Sequence, residues 1–547
     1  MSTSQLEPAY SSLDDFFSDS ALRHSNRPAL FAGGRYWSYS ALDERCRVIE
    51  QLLIAGEPAD RGRTVGLVYG RSWFSYAAVI AIMRARNVYV PLNPKMPEER
   101  LLRILEDAGI GTVLLDASEG LSEGVVGMLR RAKSLRILVP EGDSTAALEG
   151  MLTDCSHRLW KVSEKLHAQP PPVLPKTAQQ VSELAYMIYT SGSTGIPKGV
   201  PITHASARSC VTKCQQMLGT DDRDRFTGFS ALSFDVSIAD IFLCWKSGGT
   251  LYVPAAVEAL VPLAFVAKHE ITVWSSVPSL ANFLLKLRLL KSETLSHVRL
   301  FLFAGEALPV ELARACLGAA PRARVFNLYG PTECTIFSTF HEYSEQSDSY
   351  GGTVPIGLPL PGLQHRIVVE GRVVEAEDEP GELWLSGDQL ACGYWNNPTA
   401  TEAAFVDAPA GELRTAVWYR TGDLVSYHRP VGLVFRGRLD RQVKLRGYRV
   451  ELQEVESALR RVIGCAQVAV VPVRNSGGIC EKLIAYCDEL SADEATIKEL
   501  CSRQLATYMV PDRILRLETF PLSANGKVDY LALTAQAKHS EQQDTGR

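Results

Sequence analysis

The sequence predicts an α/β protein with a large N-terminal domain and a small α+β C-terminal domain, on three observations. Apolar strand-like runs alternate with helical patterns between residues 28 and 115, and a second block of this kind runs from residue 184 to about 340. Such alternation is typical of helices layered on a sheet. Between residues 352 and 434, short alternating runs separated by Gly and Pro predict a β-rich lobe. We therefore expect two α/β lobes and a β-rich lobe in residues 1–439, followed by a C-terminal domain in residues 440–535.

The first block gives the alternation most clearly. Its pattern predicts a strand from Thr64 to Tyr69, a helix from Trp73 to Arg86, a strand from Tyr89 to Leu92 and a helix from Pro97 to Ala108. The second block opens with a strand-like run from Leu184 to Tyr189. Apolar strands followed by helical patterns indicate α/β layers in both blocks.

The remaining third of the chain predicts shorter elements. The β-rich lobe is represented by the runs Leu363 to Val369, Gly381 to Ser386 and Gly432 to Phe435. The C-terminal domain is predicted to contain helices from Gln453 and from Asp493, with strands at Gln467 to Val473 and Lys482 to Cys487. Residues 536–547 are polar and are predicted to form a flexible tail.

Composition narrows the class of protein. Hydrophobic residues make up 46% and charged residues 22% of the 547 residues, as in an average globular protein. A net charge of −5 gives no general attraction to nucleic acid or to anionic lipid, so we expect neither as a partner. The twelve cysteines form no Cys-x-x-Cys pair and indicate reduced thiols. Without a secretory leader or an apolar run of about 18 residues, the expected location is the cytoplasm.

A loop rich in glycine and hydroxyl groups follows the predicted strand that ends at Tyr189. Residues 189–199 read YTSGSTGIPKG. Glycines let backbone N–H groups turn onto phosphate oxygens, while hydroxyls and Lys198 add donors and positive charge. The loop is not a Walker motif, because Pro197 stands where a glycine would precede the lysine and Gly199 where Ser or Thr would bind Mg²⁺. Taken alone, the segment also fits an ordinary surface loop.

The complete string resembles the phosphate-binding signature of the adenylate-forming superfamily, which includes acyl-CoA ligases, luciferases and the adenylation domains of nonribosomal peptide synthetases. Further matches recur in order along nearly the whole chain. The resemblance implies the adenylate-forming fold with a mobile C-terminal domain, and ATP and Mg²⁺ as cofactors. In this loop it implies ATP-binding roles for Thr190, Ser191, Gly192, Ser193, Thr194, Gly195 and Lys198.

A second nucleotide-binding segment resembles the family at residues 327–333, which read NLYGPTE. By this resemblance Tyr329 stacks on adenine, Thr332 binds the α-phosphate, and Glu333 holds Mg²⁺, a cation that prefers carboxylate oxygen. Just upstream, Gly305 and Glu306 resemble the contact to the adenine edge. Outside this context, a Tyr-Gly-Pro turn is common and Glu333 would be a solvated surface acid.

Four later segments extend the resemblance towards the C-terminus. Asp423, in YRTGD, matches the carboxylate that accepts hydrogen bonds from the ribose hydroxyls, although a lone Thr-Gly-Asp is more often a turn. Arg438 is expected to reach ribose or phosphate, and Asp440 resembles the hinge residue. Residues 444–451, KLRGYRVE, match the loop used in thioester formation. Lys527, in PLSANGKVD, matches the catalytic lysine.

The substrate class is indicated by Asp235, in SFDVS. Peptide-synthetase adenylation domains carry at this position the aspartate that pairs with the substrate ammonium, and acyl-CoA and aryl-CoA ligases generally lack it. A buried carboxylate favours an amino acid over a fatty acid, because leaving it unpaired beside an acyl chain is costly. The alternative is that Asp235 caps a helix that starts near Ser237.

The rest of the predicted pocket is apolar except for one serine, which favours a neutral side chain. Its positions are Val236, Ala239, Ser275, Leu302, Ala304, Leu328, Ile336 and Phe337, with Lys527 on the substrate carboxylate. Residues 274–279 and 301–308 resemble free-standing ligases that load proline for pyrrole formation, so proline is the preferred substrate. Ligases that load β-amino acids onto discrete carriers are a second resemblance.

The sequence therefore predicts an AMP-forming amino-acid ligase that loads a phosphopantetheinylated carrier protein in secondary-metabolite or antibiotic biosynthesis. A Gly-Gly-x-Ser phosphopantetheine site and a His-His-x-x-x-Asp-Gly condensation motif are both missing from the sequence, so we expect the carrier to be a discrete protein. Two alternatives stay open: an acyl-CoA or aryl-CoA ligase of the same fold, and a non-catalytic AMP-binding protein.

Overall fold

The structure is a computed structural model of the chain. It describes residues 12–55, 63–140, 148, 150–152, 155–162, 183–192, 196–408, 416–465, 467–475, 477–522 and 528–545. Its helices are α1 Asp15–Arg23, α2 Tyr39–Ile54, α3 Trp73–Arg84, α4 Glu98–Asp107, α5 Glu123–Arg131, α6 His204–Leu218, α7 Val236–Ser247, α8 Ala256–Leu260, α9 Pro262–Lys268, α10 Pro278–Lys286, α11 Val310–Ala319, α12 Pro398–Ala404, α13 Leu452–Ile463, α14 Glu494–Ser502 and α15 Tyr530–Thr545.

The strands form four sheets. In chain order they begin with β1 Pro28–Ala32, β2 Arg35–Ser38, β3 Thr64–Val68, β4 Val88–Leu92, β5 Thr112–Leu115, β6 Arg136–Pro140, β7 Arg158–Val162, β8 Leu184–Thr190, β9 Lys198–Thr203, β10 Arg225–Thr227, β11 Thr250–Tyr252, β12 Val273–Ser276, β13 Leu300–Ala304 and β14 Arg324–Tyr329. They continue with β15 Thr339–Glu342, β16 Leu358–Pro359, β17 Leu363–Val369, β18 Arg372–Val373, β19 Gly381–Gly387, β20 Phe405–Val406, β21 Trp418–His428, β22 Gly432–Arg438, β23 Gln442–Leu445, β24 Tyr448–Glu451, β25 Val468–Arg474, β26 Cys480–Cys487 and β27 Arg513–Arg516.

The first α/β lobe is built on a seven-stranded sheet in the order β7-β6-β5-β3-β4-β8-β9. All neighbouring strands in it are parallel except β8 and β9. Every residue of β3 and β4 is buried, which explains their continuous apolar runs, because helices cover both faces of a parallel sheet. The strands and helices predicted between residues 64 and 108 are confirmed, with ends that differ by one or two residues.

The second lobe is a nine-stranded sheet in the order β16-β15-β14-β13-β12-β10-β11-β1-β2. Its centre is parallel, and β12, β13 and β14 are successive neighbours. The carboxyl ends of parallel strands meet at one edge of a sheet, where ligands bind in open α/β folds. The segments that leave these three strands therefore lie side by side, and they begin at Val277, Gly305 and Gly330.

The β-rich lobe and the C-terminal domain are also confirmed. Strands β17 to β22 pair antiparallel in a six-stranded sheet. Strands β23 to β27 form a separate five-stranded sheet, which packs with α13 and α14 around its own apolar core. Strand β22 ends at Arg438 and β23 begins at Gln442, so the predicted hinge residue Asp440 falls in the short connection between the two sheets.

The C-terminal domain is docked against the N-terminal lobes by charged side chains. Arg100 of α4 and Glu454 of α13 form an ion pair with 2.5 Å between Nη1 and Oε1, and both side chains are 6% exposed. Lys286 of α10 pairs with Glu481 of β26 at the surface. A buried pair contributes orientation as much as stability, because desolvation offsets much of the attraction. The described domains thus share one defined orientation.

The predicted flexible tail overlaps the last helix of the structure. Residues 536–545 belong to α15, which starts at Tyr530. Leu533 and Ala537 are fully buried in a cluster with Ala469 and Val471 of β25. Leu533 and Ala537, four residues apart, hold this helix on the sheet. The other residues of the segment are mostly polar, so its composition does not indicate these contacts.

The predicted reduced thiols are consistent with the fold, because all twelve cysteines are unpaired and most are buried. Among the described residues, no helix is long and apolar enough to cross a membrane.

Candidate active site

A cavity of about 580 Å³ lies between the N-terminal lobes and the C-terminal domain. Its wall includes the carboxyl ends of the central strands of the second lobe and the loop of residues 444–449 from the C-terminal domain. Of the residues assigned from the sequence, it contains Asp235, Val236, Ala304, Gly305, Tyr329, Thr332, Ile336, Phe337, Asp423 and Arg438. Segments far apart in the chain are therefore brought to one site.

Asp235 is a buried carboxylate in this wall, 7% exposed. It stands directly before α7, but its side chain makes no capping hydrogen bond, which removes the simple helix-cap interpretation. Its Oδ2 has no hydrogen-bond partner among the residues that the structure describes. Burial raises the pKa of Asp235 to about 6. A cation at this position would relieve the cost of burying the charge.

The other predicted pocket residues fall into two groups. Val236, Ala304, Ile336 and Phe337 line the cavity with Asp235. Four are buried in the same elements but are not part of the lining, namely Ala239, Ser275, Leu302 and Leu328. They lie on α7 and on the central strands β12, β13 and β14, immediately behind the wall.

Sequence reasoning missed several residues of the wall. Tyr69 and Tyr76 of the first lobe, and Phe229, Ser276 and Val277 of the second, line the cavity. Tyr69 is held in place by its hydroxyl, 2.9 Å from the Ser233 hydroxyl two residues before Asp235. Tyr76 lies on α3, and the other four residues lie at or just after the ends of strands. No local motif marks any of them.

The residues predicted to bind the nucleoside form a connected group. The hydroxyl of Tyr329 donates to one carboxylate oxygen of Asp423, and the guanidinium of Arg438 donates to the other. Arg438 also donates to both oxygens of Asp440, each at 2.7 Å. Burial alone would raise the pKa of Asp440, but the bonds from Arg438 hold it below its usual value. Arg438 thus links Asp423, the predicted ribose ligand, to the predicted hinge residue Asp440.

The phosphate loop is described in part. Thr190, Ser191, Gly192 and Lys198 are described, whereas Ser193, Thr194 and Gly195 lie outside the described residues. A Cβ at Gly192 would lie 2.2 Å from the Ile196 carbonyl oxygen, so only glycine fits this turn. The ammonium of Lys198 lies 5.0 Å from the centre of the Tyr394 ring.

Glu306 joins the second lobe to the C-terminal loop. One carboxylate oxygen accepts the Ser279 N–H at 2.8 Å and the other accepts the Gly447 N–H at 2.6 Å. Burial raises the pKa of Glu306. Gly447 has φ of +83°, and a Cβ added there would lie 2.6 Å from Cγ1 of Val277. The loop reaches Glu306 only because this residue is glycine.

Glu333, the predicted Mg²⁺ ligand, is fully buried and fully partnered. Nη1 of Arg449 lies 3.0 Å from Oε1 and 3.1 Å from Oε2, and the Tyr394 hydroxyl donates to Oε1 at 2.8 Å. Burial alone would raise the pKa of Glu333, but the charge of Arg449 holds it below its usual value. A buried ionised carboxylate suits a hard divalent cation, so Glu333 fits the predicted role.

The predicted catalytic residue Lys527 lies outside the described residues, so its role stays a prediction. The loop of residues 444–451 instead contacts both N-terminal lobes. The backbone carbonyl of Arg449 accepts the Ser191 hydroxyl at 2.8 Å, and the Tyr448 ring lies edge-on to Phe234, with 4.9 Å between their centres. In this orientation the loop of residues 444–449 forms part of the cavity wall.

The sequence is similar to known enzymes over nearly its whole length. The model of a family described as AMP-binding enzyme matches residues 17–395, and that of the AMP-binding enzyme C-terminal domain matches residues 454–527. The chain is 34% identical over 528 residues to an L-proline--[L-prolyl-carrier protein] ligase of Streptomyces coelicolor, covering 95% of each chain.

Two solved structures have the same fold. The adenylation domain AlmE of Vibrio cholerae, in complex with glycyl-adenosine-5'-phosphate, has a TM-score of 0.86 and 28% identity, and the match covers 98% of this chain and 100% of that one. Holo-PA1221, a protein containing adenylation and PCP domains, has a TM-score of 0.78 and 25% identity, over 96% of this chain and 84% of that one.

Proposed function

The chain belongs to the AMP-binding enzyme family and is an AMP-forming ligase, and on that premise we propose that it adenylates a neutral amino acid and transfers it to a carrier protein. The observation that carries this proposal is Asp235, a buried carboxylate with one partnerless oxygen among the described residues, in the wall of the cavity. An ammonium group is the natural partner for such a carboxylate. A fatty or aryl acid would leave it buried and unpaired.

Proline is the preferred substrate. The cavity wall near Asp235 is formed by apolar or small residues such as Val236, Ala304 and Ile336, which suits a small neutral side chain. The similarity to a ligase named for proline supports the same choice. The AlmE structure, with its glycyl adenylate, supports a family site that accepts small amino acids.

In the first half-reaction an oxygen of the substrate carboxylate attacks the α-phosphorus of ATP, and the bond to the bridging oxygen breaks to release pyrophosphate. Asp235 holds the substrate ammonium, while Tyr329 and Asp423 hold the nucleoside. Thr332 and, by resemblance, Lys527 lie on the reacting groups, so the two anions are held in line. Mg²⁺, with Glu333 as its ligand, would neutralise charge on the phosphates.

In the second half-reaction a thiolate attacks the carbonyl carbon of the aminoacyl-adenylate, and AMP leaves. A discrete phosphopantetheinylated carrier is the proposed thiol donor, supported by the carrier-protein ligase and by PA1221, which contains a PCP domain. The docked loop of residues 444–451 suits this step. Lys527 would be presented in a second orientation, with rotation at Asp440.

The proposal is tested by ATP–pyrophosphate exchange with proteinogenic amino acids, several β-amino acids, and fatty and aryl acids. We expect one strong signal from a neutral amino acid, with proline as the first candidate. A signal only with fatty or aryl acids, or their CoA-dependent consumption, would instead identify an acyl-CoA or aryl-CoA ligase. Lys527→Ala should lower the exchange rate by about 10²- to 10³-fold, the usual effect of removing one positioned donor.

A further inference from the structure

We propose that Asp107, at the end of α4, is a positioning residue for the phosphates of ATP, because it fixes both ends of the phosphate loop, residues 189–199. The inference rests on the proposed function and adds to it a residue that does not line the cavity. Asp107 is the last residue of α4 and belongs to the first lobe.

The first end of the loop is held through a side chain. Tyr189 lies in β8, and its hydroxyl donates to Oδ2 of Asp107 at 2.6 Å. Burial and the neighbouring carboxylate raise the pKa of Tyr189, so the hydroxyl keeps its proton and donates it to the bond. A negative charge at the C-terminus of a helix is unfavourable, so helix stability does not explain an aspartate at this position. The bond to Tyr189 gives the carboxylate a role there.

The second end of the loop is held through the backbone. The carbonyl of Gly199, in β9, accepts the Trp395 N–H at 2.8 Å. The indole N–H of Trp395 donates to the backbone carbonyl of Asp107 at 3.2 Å, and the side-chain amide of Asn396 donates to the same carbonyl at 3.0 Å. Carbonyl groups in the last turn of a helix have no partner within the helix, so they accept bonds from outside it. Both ends of the loop therefore lead to one residue.

The two anchored ends lie opposite each other in the sheet. Tyr189 pairs with Gly199 across β8 and β9, and the next pair, Thr190 with Lys198, leads into the loop. A Cβ at Gly199 would lie 3.0 Å from Cζ of Tyr189 and 3.1 Å from Cβ of Trp395, so the two ends pack tightly. The anchor is thus one residue pair away from the point at which the loop leaves the sheet.

The anchor also reaches two groups assigned to the phosphates. Tyr394 directly precedes Trp395, and its hydroxyl donates to Oε1 of Glu333 at 2.8 Å. The ammonium of Lys198 lies 5.0 Å from the centre of the Tyr394 ring. Asp107 is therefore connected, through two adjacent residues, to the lysine of the loop and to the proposed Mg²⁺ ligand. Groups that bind phosphate and metal depend on such supporting contacts for their orientation.

These contacts concern the phosphates and not the nucleoside. Tyr329 and Asp423, the predicted adenine and ribose ligands, are bonded to each other, and neither is bonded to Asp107 or Tyr189 among the residues that the structure describes. A loosened loop should therefore weaken the binding of ATP and leave the binding of AMP, which lacks the β- and γ-phosphates, nearly unchanged. A residue needed only for folding would affect both nucleotides.

The first test measures the Kd of ATP with Mg²⁺, and the Kd of AMP, by calorimetry on the full-length protein without an amino acid. We expect Asp107→Ala to raise the Kd of ATP about tenfold, the usual scale for a lost supporting contact, and to leave that of AMP unchanged. Asp107→Asn keeps an oxygen that accepts from Tyr189 and should bind both nucleotides as the wild type does. Glu106→Ala removes an exposed acid from the same helix and should also match the wild type. Equal losses for both nucleotides, or none for either, would overturn the inference.

The second test assigns the effect to one hydrogen bond. Tyr189→Phe removes the donor and should raise the Kd of ATP by the same factor as Asp107→Ala. The double variant should add nothing to either single variant, because both remove the same bond. Additive losses would overturn the inference. If Asp107→Ala fails to fold, Tyr189→Phe decides it through the same comparison of ATP with AMP.

Kinetics separate this inference from the proposed function. In ATP–pyrophosphate exchange, Asp107→Ala should raise the KM for ATP about tenfold and leave the KM for the amino acid unchanged. A raised KM for the amino acid with an unchanged KM for ATP would contradict the inference. If no amino acid supports exchange, the proposed function fails, whereas the two binding tests still decide the role of Asp107.

Discussion

Asp235 and Glu333 are two buried carboxylates of one site whose pKa values are shifted in opposite directions. Burial raises the pKa of Asp235 to about 6, and its Oδ2 has no partner among the described residues. The pKa of Glu333 is instead held low, against its burial, by Arg449, and both of its oxygens are hydrogen-bonded. The protein therefore supplies a cation for one acid and leaves the other for a ligand. This difference supports the proposal that Asp235 is left open for the ammonium group of the substrate.

The largest effect is expected at Asp235. Asp235→Ala leaves the substrate ammonium without its partner, a loss of about 2–5 kcal/mol, or roughly 30-fold to several thousand-fold in kcat/KM. ATP–pyrophosphate exchange measures it. The matched control is Asp240→Asn on the same helix, because Asp240 is buried but does not line the cavity and burial raises its pKa to about 7. Similar losses in both variants would show that altered packing of α7 causes the effect, and not the loss of the partner of the ammonium group.

The next effect is expected at Gly447, which brings the loop to the site of Glu333. Gly447→Ala places a Cβ 2.6 Å from Cγ1 of Val277, at a φ that alanine rarely adopts. We expect thioester formation to fall by about 100-fold, as for a loop displaced by an ångström, with adenylation retained. The two rates are measured separately. Val277→Ala in the same chain removes the clashing atom and should restore part of the rate, whereas no rescue would contradict the steric explanation.

The pH dependence of substrate binding tests the role of Asp235 in a second way. Because the pKa of Asp235 is raised to about 6, the carboxylate is ionised above that pH and neutral below it, while the substrate ammonium stays charged throughout. We expect kcat/KM for the amino acid to be flat above about pH 6 and to fall tenfold per unit below it. The KM for ATP, measured in the same buffers, serves as the control. A flat profile down to pH 5 would contradict the assignment of Asp235.

The smallest effect is expected at Tyr394, the neutral partner of Glu333. Tyr394→Phe removes one hydrogen bond of about 0.5–1.5 kcal/mol, so we expect the Mg²⁺ concentration for half-maximal exchange to rise a few-fold. Tyr427→Phe, in the β-rich lobe, is a control that does not line the cavity. A loss as large as that of Asp235→Ala would mean that Tyr394 has a more direct role.

Much of the fold follows from the sequence. Parallel strands buried on both faces leave continuous apolar runs, so β3, β4 and β8 are predicted within one or two residues. The nucleotide segments were predicted from contiguous motifs, and the structure places Tyr329, Thr332 and Asp423 in one cavity. Local patterns and short motifs are what a sequence records best.

What the sequence did not predict depends on contacts between distant segments. Arg449 and Glu333 are separated by 116 positions and lie in different domains, so no spacing marks them as partners. Tyr394 is 61 positions from Glu333. One physical rule points to such partners: a carboxylate that is fully buried requires a cation or several hydrogen-bond donors around it. Which residue supplies it depends on the docking of the C-terminal domain.

The most direct test of the account compares a substrate with its deaminated analogue, proline with cyclopentanecarboxylic acid if proline is the substrate. ATP–pyrophosphate exchange is measured for both on wild-type enzyme and on Asp235→Asn. We expect the wild type to prefer the amino acid by about 100-fold or more and this preference nearly to disappear in the variant. Equal use of both acids by the wild type, or an unchanged preference in Asp235→Asn, would contradict it.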